Sequence, residues 1–159
     1  MKIYFALIAF GIASVSSCGI KRPHKITENV VETNFNKLSQ DLLLNLKANK
    51  NIDEIQNQLA KTTTDELERG LPLDEHRKAF WMNIYNGYII AILKKDKSLF
   101  DDRGAFFTKK QINIAGNLLS FDDIENGMIR KSQFKFGLGY IRTLFPSAFE
   151  RHLRVEQRD

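Results

Sequence analysis

The chain has 159 residues, 43% of them hydrophobic, 11% aromatic and 27% charged, with a formal net charge of +5. That is enough apolar content for one domain with a core, and it excludes a disordered or fibrous chain. The basic residues are scattered and interleaved with acids: Lys94-Lys95, Lys109-Lys110, Arg130-Lys131, then Arg142, Arg151, Arg154 and Arg158. Nucleic-acid binders gather such charge on one face beside a recognisable motif, and none is present, so the charge reads as a solvated surface.

Met1-Lys2 is a short positive segment, and Ile3 to Val15 is an unbroken run of apolar and small residues. The run is too short for a bilayer core of roughly 30 Å but suits a secretory signal. It ends in Val15-Ser16-Ser17-Cys18-Gly19, and Cys18 is the only cysteine of the chain. A lone thiol closes no internal disulfide. Placed directly after small residues, it resembles a bacterial lipobox, which implies a signal peptide over 1–17, cleavage before Cys18 and lipid attachment to it. Membrane contact through lipidated Cys18 is therefore expected, in the cell envelope. Gly19 after it, rather than an acid, favours the outer membrane. Gly19 to Thr33 is polar, carries Pro23 and reads as a tether over 18–33.

Phe35, Leu38, Leu42, Leu43 and Leu46 follow one helical face, with Thr33 or Asn34 as its cap. Asn51 and Glu54 suggest a capping pair for a second, shorter helix carrying Ile52, Ile55 and Leu59. These make a helical extension over 34–63, broken at Thr62-Thr63-Thr64. Asp65 to Arg69 can form one turn before Gly70 and Pro72. A long helix is expected from about Asp74 to Lys95, acidic at its positive end and basic at its negative end. It is apolar nearly all round, as expected of an element buried on most sides. Asp101 to Gly104 reads as a polar loop. Lys110 to Asn117 alternates polar and apolar residues up to a Gly-Asn turn signal, predicting a short strand or the first arm of a hairpin near 110–118. Ser120-x-x-Asp123 fits a capping box for a helix burying Phe121, Ile124, Met128 and Ile129. Gly137 and Gly139 loosen the next stretch, and a final helix is expected from about Pro146 to Val155. The fold class is α+β, mostly helical in the residues present.

Chemistry is harder to find. His24 lies in the tether, His76 and His152 have no second histidine at i+4 and no cysteine nearby, and no metal site or cofactor is expected. No G-x-S-x-G elbow or glycine-rich phosphate loop occurs. Asp122, Asp123 and Glu125 form the densest acidic group, which a helix N-terminus alone would explain. Asn83 and Asn86 lie about 60° apart on the core helix. A buried amide without partners costs roughly 1–3 kcal/mol, so the two are expected to bond neighbouring backbone or to line a pocket. Gly87 suggests close approach of another backbone.

Two stretches carry a resemblance. Ala79-Phe80-Trp81-Met82-Asn83-Ile84-Tyr85-Asn86-Gly87 and Gly116 to Arg130, with Leu119-Ser120-Phe121-Asp122-Asp123-Ile124-Glu125-Asn126-Gly127 within it, resemble in order and separation the family named domain of unknown function 547. The resemblance covers roughly 64–159. It makes Trp81, Asn83, Tyr85, Asn86, Ser120, Asp122, Asp123, Glu125 and Arg130 the candidate site residues. Gly87 stands where the family often has alanine, and Asn126 where it often has histidine. In the family, a pair like Arg158-Asp159 is followed by a strand-rich segment with a histidine and cysteines. The resemblance therefore implies that residues 64–159 are the N-terminal part of a longer domain, with the Ile112–Ala115 strand short of partners. The expectation is an envelope lipoprotein with a binding or structural role and no complete active site. The alternative is a thiol-dependent hydrolase or transferase whose nucleophile lies in a further C-terminal segment.

Overall fold

The computed structural model describes residues 34–130 and 146–156. Cys18, the signal and tether, the glycines of 137–139 and the Arg158-Asp159 pair lie outside them.

The organising element is α4, Asp74–Lys95, with the limits its sequence predicts. Asp74 and Glu75 sit at its positive end and Lys94 and Lys95 at its negative end. It buries Phe80, Trp81, Ile84, Gly87, Tyr88 and Ala91. Helix α1, Phe35–Lys47, is capped by Asn34, whose side chain accepts from the Lys37 N–H at 2.9 Å. It lies along α4 in parallel: Ser39 meets Asn83, Leu42 meets Gly87, and Leu46 meets Lys94, climbing both helices in step.

Gly87 makes this packing possible, through a side chain rather than the backbone its sequence position suggested. A Cβ there would sit 2.7 Å from Leu42 Cδ2 and 3.1 Å from Leu42 Cγ. The interface is a knob set into a missing methyl.

Helix α2, Asp53–Lys61, and helix α3, Thr64–Gly70, follow. The capping pair expected between Asn51 and Glu54 does not form. Asn51 Oδ1 instead accepts from the Asp53 N–H at 2.6 Å, because a two-residue turn brings that amide closer. The threonine run is less a break than a cap: Thr63 and Glu66 close a reciprocal capping box, which turns the expected single turn into α3. The predicted loop at 101–104 is also partly helical. A 3₁₀ turn spans Lys97–Phe100, and Asp102 caps α5, Arg103–Thr108, by accepting from Ala105 N–H.

Strands β1, Ile112–Ile114, and β2, Asn117–Leu119, form an antiparallel hairpin in which Ile112 faces Leu119 and Ile114 faces Asn117. Ile112 and Ile114 are fully buried while Asn113 is exposed, the alternation seen in the sequence. Its two turn residues, Ala115 (φ 51) and Gly116 (φ 71), are both left-handed, as a tight hairpin turn requires. Their N–H groups donate to Leu59 O and Ala60 O at 2.8 and 2.9 Å, so the turn closes the last carbonyls of α2.

After β2 the chain enters one helical turn and then a π-helix, Asp123–Ile129. The last helix, α6, is Ala148–Leu153, shorter than the expected Pro146 to Val155 because the Ser147–Glu150 capping box starts it late. Extended residues follow it. Val155 N–H donates to Met128 O at 2.8 Å, and the Trp81 indole donates to Leu153 O at 2.9 Å, fixing this strap across α4. The mostly helical α+β class read from the sequence is the fold observed.

Candidate functional site

The candidate residues divide into three groups. Trp81 and Asn83 are fasteners. Trp81 is fully buried, edge-on to Phe80 and Phe149, and its only polar atom is spent on the Leu153 carbonyl. Asn83 donates to Ser39 Oγ at 3.1 Å, and Ser39, itself fully buried, donates to Asn36 O at 2.8 Å. That amide does meet a neighbour, though a side chain rather than backbone. Sequence reasoning missed Ser39, yet the signal was there: Phe35, Ser39, Leu42 and Leu46 share one buried face, and a serine on an apolar stripe needs a partner.

Asn86 differs from its expectation. It is exposed, so no desolvation cost forces it to find a partner. Its direction on α4 is about 100° from Tyr85.

Ser120 and Asp123 are the second group, and they build the predicted capping box. Ser120 N–H donates to Asp123 Oδ2 at 2.7 Å, and Asp123 N–H donates to Ser120 Oγ at 3.1 Å. The Asp123 side chain is 4% exposed and is also paired with Lys110. Lys110 was invisible as a site residue. It lies just before a strand, and no local pattern announces its reach to the π-helix. This group is structural: it joins hairpin to helix.

The third group is Tyr85, Glu125 and Arg130, with Asp122 beside it. Tyr85 stands on α4 with its ring edge-on to buried Phe121, centroids 5.4 Å apart. Its hydroxyl donates to Glu125 Oε2 at 3.2 Å. The other oxygen, Oε1, lies 3.2 Å from Arg130 Nη2. Burial and then the Glu125 carboxylate push the Tyr85 phenol up to about 12, with Asp122 adding to the effect and Arg130 opposing it. Tyr85 is thus a neutral donor across the physiological range. The Glu125 side chain is 31% exposed and that of Arg130 50%, so the array opens to solvent.

The π-helix makes this geometry. In an α-helix, residues five apart point about 140° away from each other. Here Arg130 N–H donates to Glu125 O at 2.9 Å, the i→i+5 repeat that returns residue 130 to the side of residue 125. Such turns occur frequently at functional sites. An exposed ion pair contributes about 0–1 kcal/mol, too little to explain why a whole segment adopts this rare geometry.

Among the described residues no group of three or more His, Cys, Asp or Glu side chains comes together as a metal site. No described helix is long and apolar enough to cross a membrane.

No curated protein and no solved structure matches the chain. A family model does, and its span includes both motif stretches, the long helix and the π-helix segment, while α1 and α2 lie before it. Matched over residues 69–158, the chain belongs to the family described as Protein of unknown function, DUF547.

Proposed function

We propose that this protein is a lipid-anchored component of the cell envelope, held through Cys18, with a binding role and no complete active site among these residues. The observation that carries the binding role is the Tyr85–Glu125–Arg130 array: three motif positions from two elements, hydrogen-bonded in series and open to solvent. The anchor rests on the sequence Val15-Ser16-Ser17-Cys18 behind an apolar run. Acylation would consume the chain's only thiol, which leaves no cysteine here for nucleophilic catalysis. Two or more acyl chains, each buried methylene contributing about 0.8 kcal/mol, hold a protein durably on a bilayer. The tether of residues 19–33 would leave the folded part free to meet a ligand near that surface.

The test is expression of the full chain and its Cys18→Ser variant in a bacterial host. The expected result is an acylated N-terminal Cys18 by mass spectrometry and partition into the detergent phase, both lost in the variant. A mature chain with an unmodified Cys18, or one that keeps residues 1–17, refutes the anchor.

A further inference from the structure

The array of Tyr85, Glu125 and Arg130 has a charge balance that narrows what it can hold. Asp123 is neutralised by Lys110. Among the described residues, what faces solvent there is then two carboxylates, Asp122 and Glu125, against one guanidinium. The Glu125 carboxylate is engaged at both oxygens, by Tyr85 and by Arg130, so it acts on Arg130 as a positioning group. Arg130 carries five N–H donors; one nitrogen meets Glu125, and half of the side chain is exposed. Asp122 is half-buried and stands three residues before Glu125 in the same helical stretch, which sets the two carboxylates on neighbouring positions of one side; its charge also helps to raise the Tyr85 phenol. Asp122 makes no side-chain hydrogen bond to the other described residues. The Tyr85 proton points to Glu125, which leaves the phenol oxygen able to accept.

A simple anion would find Arg130 but would face two carboxylates, and a phosphate dianion would be repelled most. A simple cation would find Asp122 but would face Arg130. A ligand that carries both charges satisfies the two ends together. We propose that Asp122, Tyr85 and Arg130 receive a zwitterionic ligand, a free amino acid or the termini of a short peptide, with its carboxylate on Arg130 and its ammonium between Asp122 and the Tyr85 oxygen. Glu125 is a positioning residue, holding the guanidinium in place for bidentate contact with a carboxylate. The proposal rests on the binding role assigned above but not on the anchor.

The experiment is calorimetric titration of the full mature chain in detergent with glycine, triglycine, acetate, methylammonium and inorganic phosphate. Glycine or triglycine is expected to bind at least tenfold more tightly than the other three, and which of them is tighter distinguishes an amino acid from a peptide. Arg130→Gln and Asp122→Asn should each weaken that binding at least tenfold, with Trp81 near-ultraviolet dichroism unchanged to show that the fold persists. Glu125→Gln should weaken it less and flatten the preference for the carboxylate. Acetate or phosphate binding as tightly as glycine overturns the zwitterion while the binding role stands. No heat with any probe, or zwitterion binding that survives both Arg130→Gln and Asp122→Asn, overturns this site. Neither result bears on Cys18 acylation, which the mass measurement decides by itself.

Discussion

Replacing Gly87 by alanine sets two well-defined effects against each other. Gly87 lies inside a 22-residue helix, where alanine is favoured over glycine by about 0.8–1.0 kcal/mol. Propensity alone therefore predicts a more stable protein. The packing predicts the reverse. The new methyl would stand 2.7 Å from Leu42 Cδ2 and 3.1 Å from Leu42 Cγ, with Leu43 Cδ2 at 3.6 Å. Leu42 has no exposed surface, so its Cδ2 has no free space to turn into, and a rotation about the last torsion leaves Cγ in place. Inserting a methylene-sized group into such a contact costs about 1–3 kcal/mol. The expected net effect of Gly87→Ala is a loss of about 1 kcal/mol.

The companion substitution is Leu42→Ala, which alone should cost about 2–5 kcal/mol as a cavity. In the double variant the methyl on α4 enters the space vacated on α1. Its loss should fall short of the sum of the single losses by about 1–3 kcal/mol. Urea unfolding of the chain carrying Cys18→Ser, followed by the Trp81 signal, measures all three. A Gly87→Ala protein more stable by about 1 kcal/mol, or a double variant additive within about 0.5 kcal/mol, would refute the account of the α1–α4 contact.

Trp81→Phe should orphan the Leu153 carbonyl, which is buried against α4, at a cost of about 1–3 kcal/mol beyond the lost ring. Hydrogen exchange in residues 148–155 should rise first, since α6 and the strap lose their fastener. Ala115→Gly, or Ala115→Asn, should raise stability by about 0.5–1 kcal/mol, because Ala115 sits at φ 51 in a region that costs ordinary residues about 1–2 kcal/mol; thermal or urea unfolding would show it. Stability should also fall in alkali. Tyr85 and Tyr88 both have phenols raised to about 12, first by burial. A raised pKa means that the folded state holds its proton more tightly. The stabilisation is therefore complete below the unfolded value near 10 and is lost as pH climbs through about 12. Phenolate absorbance should develop together with unfolding over that window, and Tyr88→Phe should move the midpoint upward.

The elements that were legible from sequence are those whose signal is local. The limits of α4 follow from charge at both ends of one apolar run, and the hairpin from strict alternation ending in a turn. The Ser120–Asp123 box follows from spacing alone, since its two hydrogen bonds join residues three apart. What stayed hidden is what needs a partner distant in the chain. Lys110 reaches Asp123 only because the hairpin folds back, and Asn83 reads as a fastener only once α1 lies beside it. The two asparagines of one motif separate for the same reason: α1 covers the side of α4 that carries Asn83 and leaves Asn86 in solvent.

The π-helix was illegible for a different reason. The sequence pattern at Phe121, Ile124 and Met128 fits an ordinary helix, and the extra residue per turn appears only in the backbone bond from Arg130 to Glu125. Its consequence is nonetheless written in residue types. An acid and an arginine five apart serve no purpose in an α-helix, where they point in different directions, and become a pair only when the turn widens. The widened turn and the pair thus imply one another. A tyrosine from α4 completes the set by fixing the carboxylate from its other side. Of the nine motif positions on the folded part, Asn86 stands exposed by itself, while these three and Asp122 bring polar groups together at the surface. The binding role proposed for this chain therefore rests on the junction of α4 and the π-helix, where those groups meet.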